Sequence, residues 1–385
     1  MMKRLLTRGL MGLMGLMGLM GTVQAQGPRL PLSAGATASV ITCGPGDDFY
    51  LAFGHSAIRI TDTANGIDYA YNYGTFDFDT PHFYWNFARG MLDYCLSRTP
   101  FDRFTATYAF EGRAMWEQRL ELTQQEVNNL YLMLEWNYMP ENRFYRYDFF
   151  RDNCATRVRD MVESACGKRR VDCGEWEPES YRDMVHRSTA GGCLEWWTLG
   201  VDLLLGLPAD HRVDSREAMF HPLAMQKLYA TAQRGGAPLV AESRTLLEDH
   251  REPLRRSFPP VAAFALLLTA VAVMTVGAGR FGIPKGVLRW TDRILFGVAG
   301  VAGLFLCFMW FGTDHWCTRW NLNLLWLSPL LVLIAIRLER SPRWALWLQE
   351  GCFAVAAVWV LWCGLSVAII PIILTLALRV AGRMR

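Results

Sequence analysis

Two different rhythms of apolar and polar residues divide this chain. In its first two thirds the apolar positions alternate in short runs. Thr37 to Thr42, Ser56 to Thr61 and Ile67 to Tyr73 each fit a strand. GPGDD at 44–48 and TANG at 63–66 read as turns, the second with the Asn-Gly pair typical of hairpins. His55 then stands at the entrance of one hairpin strand, and Asn72 lies near the end of its partner. Residues 81–92 space Phe83, Phe87 and Met91 as an amphipathic helix. Arg113 to Leu122 alternates like another strand. Thr123, followed by Glu126, predicts a capping box opening a helix that runs to about Tyr138, before Pro140. Further on, Tyr145, Tyr147 and Phe149 alternate, whereas Cys154, Val158, Met161 and Val162 follow helical spacing. Cys154 therefore sits where an extended segment turns into a helix. Strands and helices mixed in this order predict an α+β domain.

After residue 258 polar positions become rare, and long apolar runs replace the short ones. A helix spanning the hydrocarbon core needs about 20 residues. Runs at 261–279, 294–312, 322–336 and 344–378 meet or approach that length. The last is too long for one span, and Gly364 divides it into 344–363 and 366–378, which predicts five helices. Arg280, Lys285, Arg289 and Arg293 fill one loop. Arg337, Arg340 and Arg343 fill another, and Arg379, Arg383 and Arg385 fill the tail. Positive charge on one side of every second span favours an inward tail and hence five crossings.

The N-terminus has the form of a secretory signal peptide: Lys3, Arg4 and Arg8, an apolar run, then Val23-Gln24-Ala25. The expected organisation is a signal peptide at 1–25, an exported domain at 26–235, a linker at 236–258 and a transmembrane domain at 259–385. Such a chain is expected in the inner (cytoplasmic) membrane with its soluble domain in the periplasm.

Composition changes this picture little. The formal net charge of +3 comes without a basic stripe, which sets nucleic-acid binding aside. Of ten cysteines, 43, 95, 154, 166, 173 and 193 lie in the exported part, where disulfides are expected. Cys166 and Cys173 are close enough in sequence to close a small loop, though pairing is not deducible from spacing. None of the six has zinc-ligand spacing, so neither metal nor cofactor is expected.

Cys154 is either one more structural or disulfide cysteine or a nucleophile. A helix N-terminus carries partial positive charge, which favours the thiolate. Arg151 and Arg157 stand ready to help, and free first-turn N–H groups suit an oxyanion. A thiol nucleophile needs a base nearby, and His55 is the candidate. Asn72 and, secondarily, Asp77 are candidates to orient the imidazole. His82, His186 and His211 have no surrounding pattern.

The order of a histidine on a strand and then a cysteine at a helix start resembles the circularly permuted branch of the papain-like fold. That branch includes cell-wall peptidases and the lecithin–retinol acyltransferase group. FGHSAIRI, YNYGTFDF, the EGR of 111–113, YDFFRDNCATRVRD and GTDHWCTRWNLNLLW together resemble a membrane family more closely. It is the Lnb-type lipoprotein N-acyltransferases of Gram-negative envelopes, and the likeness runs from about residue 35 to the C-terminus. The resemblance implies Cys154 as nucleophile and His55 as base; papain-like sites add a His, Asn or Asp as third member, and hairpin geometry makes Asn72 the choice. It implies transfer of a phospholipid acyl chain to the amine of a diacylglyceryl-cysteine lipoprotein. Arg113 and Asn153 become candidate substrate-binding residues, as do Asp314, His315, Asn321 and Asn323 in the polar outer loop. That loop also reads as an interfacial belt, given Trp316 and Trp320. Two rival functions stand beside this one: a papain-like wall amidase or other envelope lipid acyl hydrolase, and a non-catalytic assembly protein with Cys154 in a disulfide.

Overall fold

The computed structural model describes residues 32–76, 79–167, 171–190, 194–252, 257–278 and 282–384. The expected signal peptide, Asp77 and Cys193 lie outside them.

In chain order the first part contains β1 (Thr37–Cys43), β2 (His55–Asp62), β3 (Ile67–Thr75), α1 (Phe83–Ala88), β4 (Asp93–Pro100), α2 (Phe101–Phe110), β5 (Met115–Leu120), α3 (Gln124–Tyr138), β6 (Phe144–Arg146) and α4 (Cys154–Cys166). Then follow β7 (Val171–Asp172), α5 (Tyr181–Thr189), α6 (Glu195–Leu204), α7 (Ser215–Ala218), α8 (Pro222–Thr231), β8 (Gln233–Arg234), β9 (Ala237–Pro238) and β10 (Val240–Leu247). The C-terminal part is built of α9 (Pro260–Gly277), α10 (Lys285–Phe311), α11 (Leu330–Ile336), α12 (Arg343–Trp362) and α13 (Ile369–Met384).

A seven-stranded sheet in the order β10-β5-β1-β2-β3-β4-β6 organises the first part. Every neighbouring pair is antiparallel. Its strands bury apolar side chains on both faces. Ile41, Ala57, Ala70 and Met115 pack under Phe101, Phe104 and Tyr108 of α2. Val40, Ile58, Ile60 and Tyr71 belong to a larger core with Val127, Leu130 and Leu134 of α3, Val158 and Val162 of α4, and Met225 and Leu228 of α8. The expected hairpin is present, with Ile58 opposite Tyr71. Its turn is a single 3-10 turn over Thr63–Asn65 closed by Gly66 in the left-handed region. The Thr123/Glu126 capping box also forms, with Glu126 N–H donating to Thr123 Oγ1 at 3.3 Å and Thr123 N–H to the Glu126 carboxylate at 2.7 Å.

Two expectations need correction. The segment 236–258 is not a plain linker: its residues 240–247 form β10, an edge strand paired with β5. The alternation there was obscured by Glu242, Arg244 and Glu248, which the edge position leaves in solvent. Cys173 carries a free thiol, so no Cys166–Cys173 bridge closes that loop.

The C-terminal helices bury a core of their own, including Phe296, Trp326, Leu331, Phe353, Ile369 and Leu376. Among the described residues, α9, α10 and α12 are long and apolar enough to cross a membrane. The expected third span is broken. Two short 3-10 turns within Trp316–Leu325 meet α11 at a 44° bend, which Pro329 at the N-cap of α11 explains. Counting the bent pair gives up to four. The remaining expected helix is α13, which runs past the anticipated end to Met384. Asp292 of α10 is fully buried and accepts from Arg379 of α13, which also donates to Thr275 of α9 at 2.7 Å. Pairing satisfies charges that would otherwise be costly to bury.

Candidate active site

Cys154 opens α4, and the sequence just before it explains why the helix starts there. Asn153 is the N-cap: its side-chain oxygen accepts from the N–H groups of Ala155 at 2.9 Å and Thr156 at 3.0 Å. Thr156 closes the box by accepting from Asn153 N–H at 2.8 Å. The Asn153 amide donates to the carbonyls of Phe149 and Phe220 at 2.7 and 2.9 Å. Every polar position of this buried side chain is used by the protein. Asn153 is therefore a capping residue with no valence left for substrate. Of the first-turn N–H groups offered to an oxyanion, only that of Cys154 itself stays outside the cap.

His55 arrives at the start of β2 by way of Gly54. A side chain at Gly54 would meet the Cys43 carbonyl at 2.7 Å, and φ there is +77°. Only glycine makes that turn without strain. Asn72 lies at the edge of an irregularity in β3, where Asn72 pairs with Ser97 but Thr75 pairs with Cys95. This one-residue bulge holds Gly74, at φ +90°. A Cβ at Gly74 would lie 3.6 Å from Cys154 Cβ and 3.9 Å from His55 Cε1. The bulge thus brings β3 against both groups, as bulges near active sites commonly do.

The three side chains form a chain of hydrogen bonds. His55 Nε2–H donates to Asn72 Oδ1, and His55 also bonds the Cys154 thiol. With Nε2 committed to Asn72, Nδ1 is the ring nitrogen left for sulfur. Burial pushes the Cys154 thiol up, but the His55 charge, its hydrogen bond and the N–H groups of Ser56 and Ala155 outweigh it. The thiol titrates below its ordinary value. Burial likewise pushes His55 down, but the facing sulfur and Asn72 reverse that, so the imidazole titrates above its ordinary value. Together the shifts favour a thiolate–imidazolium pair. Other buried thiols behave in the opposite way. Burial drives Cys43 up to about 12 and Cys173 up to about 11. Cys154 is a free thiol.

The arginines expected beside the thiol are engaged elsewhere. Arg157 holds Asp152 through two bonds of 2.5 and 2.7 Å. The Arg151 guanidinium lies 3.5 Å over the Trp316 ring. Backbone N–H groups and His55 do the work assigned to them. Arg113 is buried, donates twice to the Gly44 carbonyl and pairs with Glu111 at 2.9 Å. It anchors the β1 turn and is not free to meet a substrate.

The polar outer loop turns out to be a joint. Asn321 donates to the carbonyls of Leu203 and Leu204, and Asn323 to that of Asp202, at 2.7, 3.1 and 2.8 Å. Both are buried and satisfy the last carbonyls of α6, which leaves them no role in binding substrate. His315 donates through Nε2 to Phe87 O at 3.1 Å, and Asp314 N–H to Arg89 O at 2.9 Å. Only the Asp314 carboxylate faces outward among the four. Trp316 does what sequence reading missed. Its indole N–H donates to Asp148 Oδ1 at 3.0 Å. The same oxygen accepts from the N–H groups of Phe150 and Arg151, in the turn just before Cys154. The only sequence signal was a tryptophan in a loop already read as a membrane belt.

A second histidine–hydroxyl contact, His221 with Ser188 at 2.7 Å, has the wrong polarity for a base. His221 Nδ1 accepts from Leu223 N–H, so Nε2 carries the proton and donates to Ser188. Ser188 in turn donates to Met184 O at 3.0 Å. Burial lowers His221 to about 4, which keeps it neutral.

A free thiol paired with a histidine and an asparagine, on an α+β domain docked to apolar helices long enough to cross a membrane, defines a membrane-anchored thiol–histidine protein. Residues 32–187 match the Lnb N-terminal periplasmic domain, and residues 252–385 match the Lnb transmembrane domain. The chain belongs to the Lnb family, and its sheet domain is periplasmic. No curated protein and no solved structure matches it.

Proposed function

We propose that this protein is an N-acyltransferase of the inner (cytoplasmic) membrane that builds lipoproteins through a Cys154 thioester, with the sheet domain a permuted papain-like fold. The Cys154 thiolate attacks the acyl ester carbonyl of a phospholipid, and the C–O bond breaks. His55, as imidazolium, gives its proton to the departing lysophospholipid oxygen. The free α-amine of a diacylglyceryl-cysteine lipoprotein then attacks the thioester. Neutral His55 takes the amine's proton, the C–S bond breaks, and the thiolate–imidazolium pair returns with a new amide. Asn72 Oδ1 accepts from His55 Nε2–H in both protonation states, which keeps the ring oriented throughout.

The observation that carries this reading is the joint: a loop of the apolar bundle grips the turn immediately before the His55-paired thiol. Both substrates live in the bilayer, so a thiol held against the membrane domain meets them there. A wall peptidase with a soluble substrate gains nothing from that attachment. A free Cys154 thiol also speaks against a disulfide-bonded assembly protein.

Expression in cells depleted of their own lipoprotein N-acyltransferase tests the proposal. Mass spectrometry of lipopeptides is expected to show a third acyl chain with the wild type and none with Cys154→Ser. No third chain from the wild type refutes the activity.

A further inference from the structure

Helix α1 turns three large rings outward. Tyr84, Trp85 and Phe87 are 79%, 55% and 53% exposed, whereas Phe83 faces the core. Such a patch on so short an element marks a contact surface. What covers it follows from its neighbours. The Trp85 ring stacks on Phe308 of α10 at 5.7 Å. Phe308 lies three residues before the end of α10, about 5 Å down the helix axis. Trp310 and Trp320, with ring centroids 5.1 Å apart, mark the same rim, where tryptophans prefer the lipid–water boundary. His315 and Asp314 fasten the far end of α1 to that rim. Helix α1 therefore packs beside the end of α10 and its tryptophan rim.

Its buried side leads to the thiol. Phe83 packs on Phe76 at 5.8 Å, and Phe76 on Tyr94 at 5.1 Å. Tyr94 stacks on Tyr147 at 4.2 Å, and the Cys154 charge raises Tyr147 after the larger effect of its burial. Phe76 also lies two residues past Gly74, where an added Cβ would come 3.6 Å from Cys154 Cβ. A run of packed rings thus leads from the outward face of α1 toward the reacting sulfur.

We infer that α1 is an interfacial helix seated in the outer leaflet, and that phospholipid reaches Cys154 along it. The first half stands on geometry alone; the second rests on the acyl-transfer reading above. Hydrocarbon and headgroup surface is the occupant, and the rings take up the lipid next to the site where the ester must arrive.

Full-length protein in phosphatidylethanolamine–phosphatidylglycerol vesicles provides the test. Tyr84→benzoylphenylalanine, irradiated, is expected to yield a phospholipid adduct by mass spectrometry. Phe110→benzoylphenylalanine, even more exposed but on α2, is expected to yield none. An adduct at position 84 to protein only, or none, overturns the inference. In a second arm, Trp85→Glu and Trp85→Leu are compared for acylation of Cys154 by vesicle phospholipid and by a soluble p-nitrophenyl ester. The ratio of the two rates is expected to fall at least tenfold for Glu and to change little for Leu. An unchanged ratio for Glu overturns delivery along α1. Wild-type protein acylated by neither donor defeats the thiol chemistry, while the photo-crosslink still decides where α1 sits.

Discussion

At the scale of single residues, the difference between Cys154 and the other buried thiols is one of partners rather than burial. Cys43 stands directly across from His55 in the β1–β2 ladder, yet its thiol is pushed up, whereas Cys154 is brought down. Removing Cys154 or His55 should therefore abolish acyl transfer or cut it by about 100- to 10,000-fold, the usual size of a lost general acid–base. Asn72→Ala should cost up to about 100-fold through misorientation of the ring, and Asn72→Asp should keep most of the rate because it keeps the acceptor oxygen. Steady-state rates on vesicle phospholipid check both. The shifts also fix the pH profile. Lowering pH through the depressed Cys154 value protonates the thiolate and lowers the rate. Raising pH through the elevated His55 value removes the proton the leaving group needs, and the rate falls again. A plateau between the two limbs is expected, and in His55→Ala iodoacetamide labelling of Cys154 should move to more alkaline pH.

At the scale of elements, the β2–β3 hairpin and the start of α4 place the site, and both were legible in the sequence. The Asn-Gly turn fixed the hairpin, and the change of period at Cys154 fixed the helix start. The buried face of α4 followed from the helical spacing of Cys154, Val158 and Val162. What stayed illegible depends on contacts between distant segments. The bulge at Gly74 shows only when β3 meets β4. Asn153 reads as a polar residue beside the thiol, but Phe149 and Phe220 consume it. Trp316 reads as membrane belt, but Asp148 takes its N–H, 168 residues away in sequence. Trp316→Phe keeps the ring under Arg151 and deletes that bond. It should lower kcat by severalfold with little change in the short-ester KM, since a turn loosened before Cys154 misplaces the sulfur rather than the substrate. Trp316→Ala should do more. Equal rates in wild type and both variants would show that the joint does not position the nucleophile.

At the scale of the molecule, the two domains are held by a buried ionic knot. Asp202 of α6 is fully buried and binds Arg182 at 3.1 Å, His186 at 2.7 Å and the N–H of Ser366, between α12 and α13, at 2.7 Å. Arg182 also grips Asp210 at 2.6 Å and the carbonyls of Leu205 and Gly206 just past α6. Without Asp202, Arg182 keeps Asp210 but His186 and the Ser366 N–H lose their acceptor, which should cost about 1–3 kcal/mol. Asp202→Ala is thus expected to lower the melting temperature of the detergent-solubilised protein and to ease proteolysis between the domains, while Cys154 still reacts with a soluble ester. This knot is why the thiol and the membrane helices act as one object. It also gives the central claim a direct readout, since purified full-length protein in phospholipid vesicles holds every group the first half-reaction needs. After incubation without acceptor, mass spectrometry of the peptide bearing Cys154 should show a fatty-acyl adduct that neutral hydroxylamine removes and that His55→Ala does not form. An unmodified Cys154, or acyl groups carried only on other residues, would contradict the account.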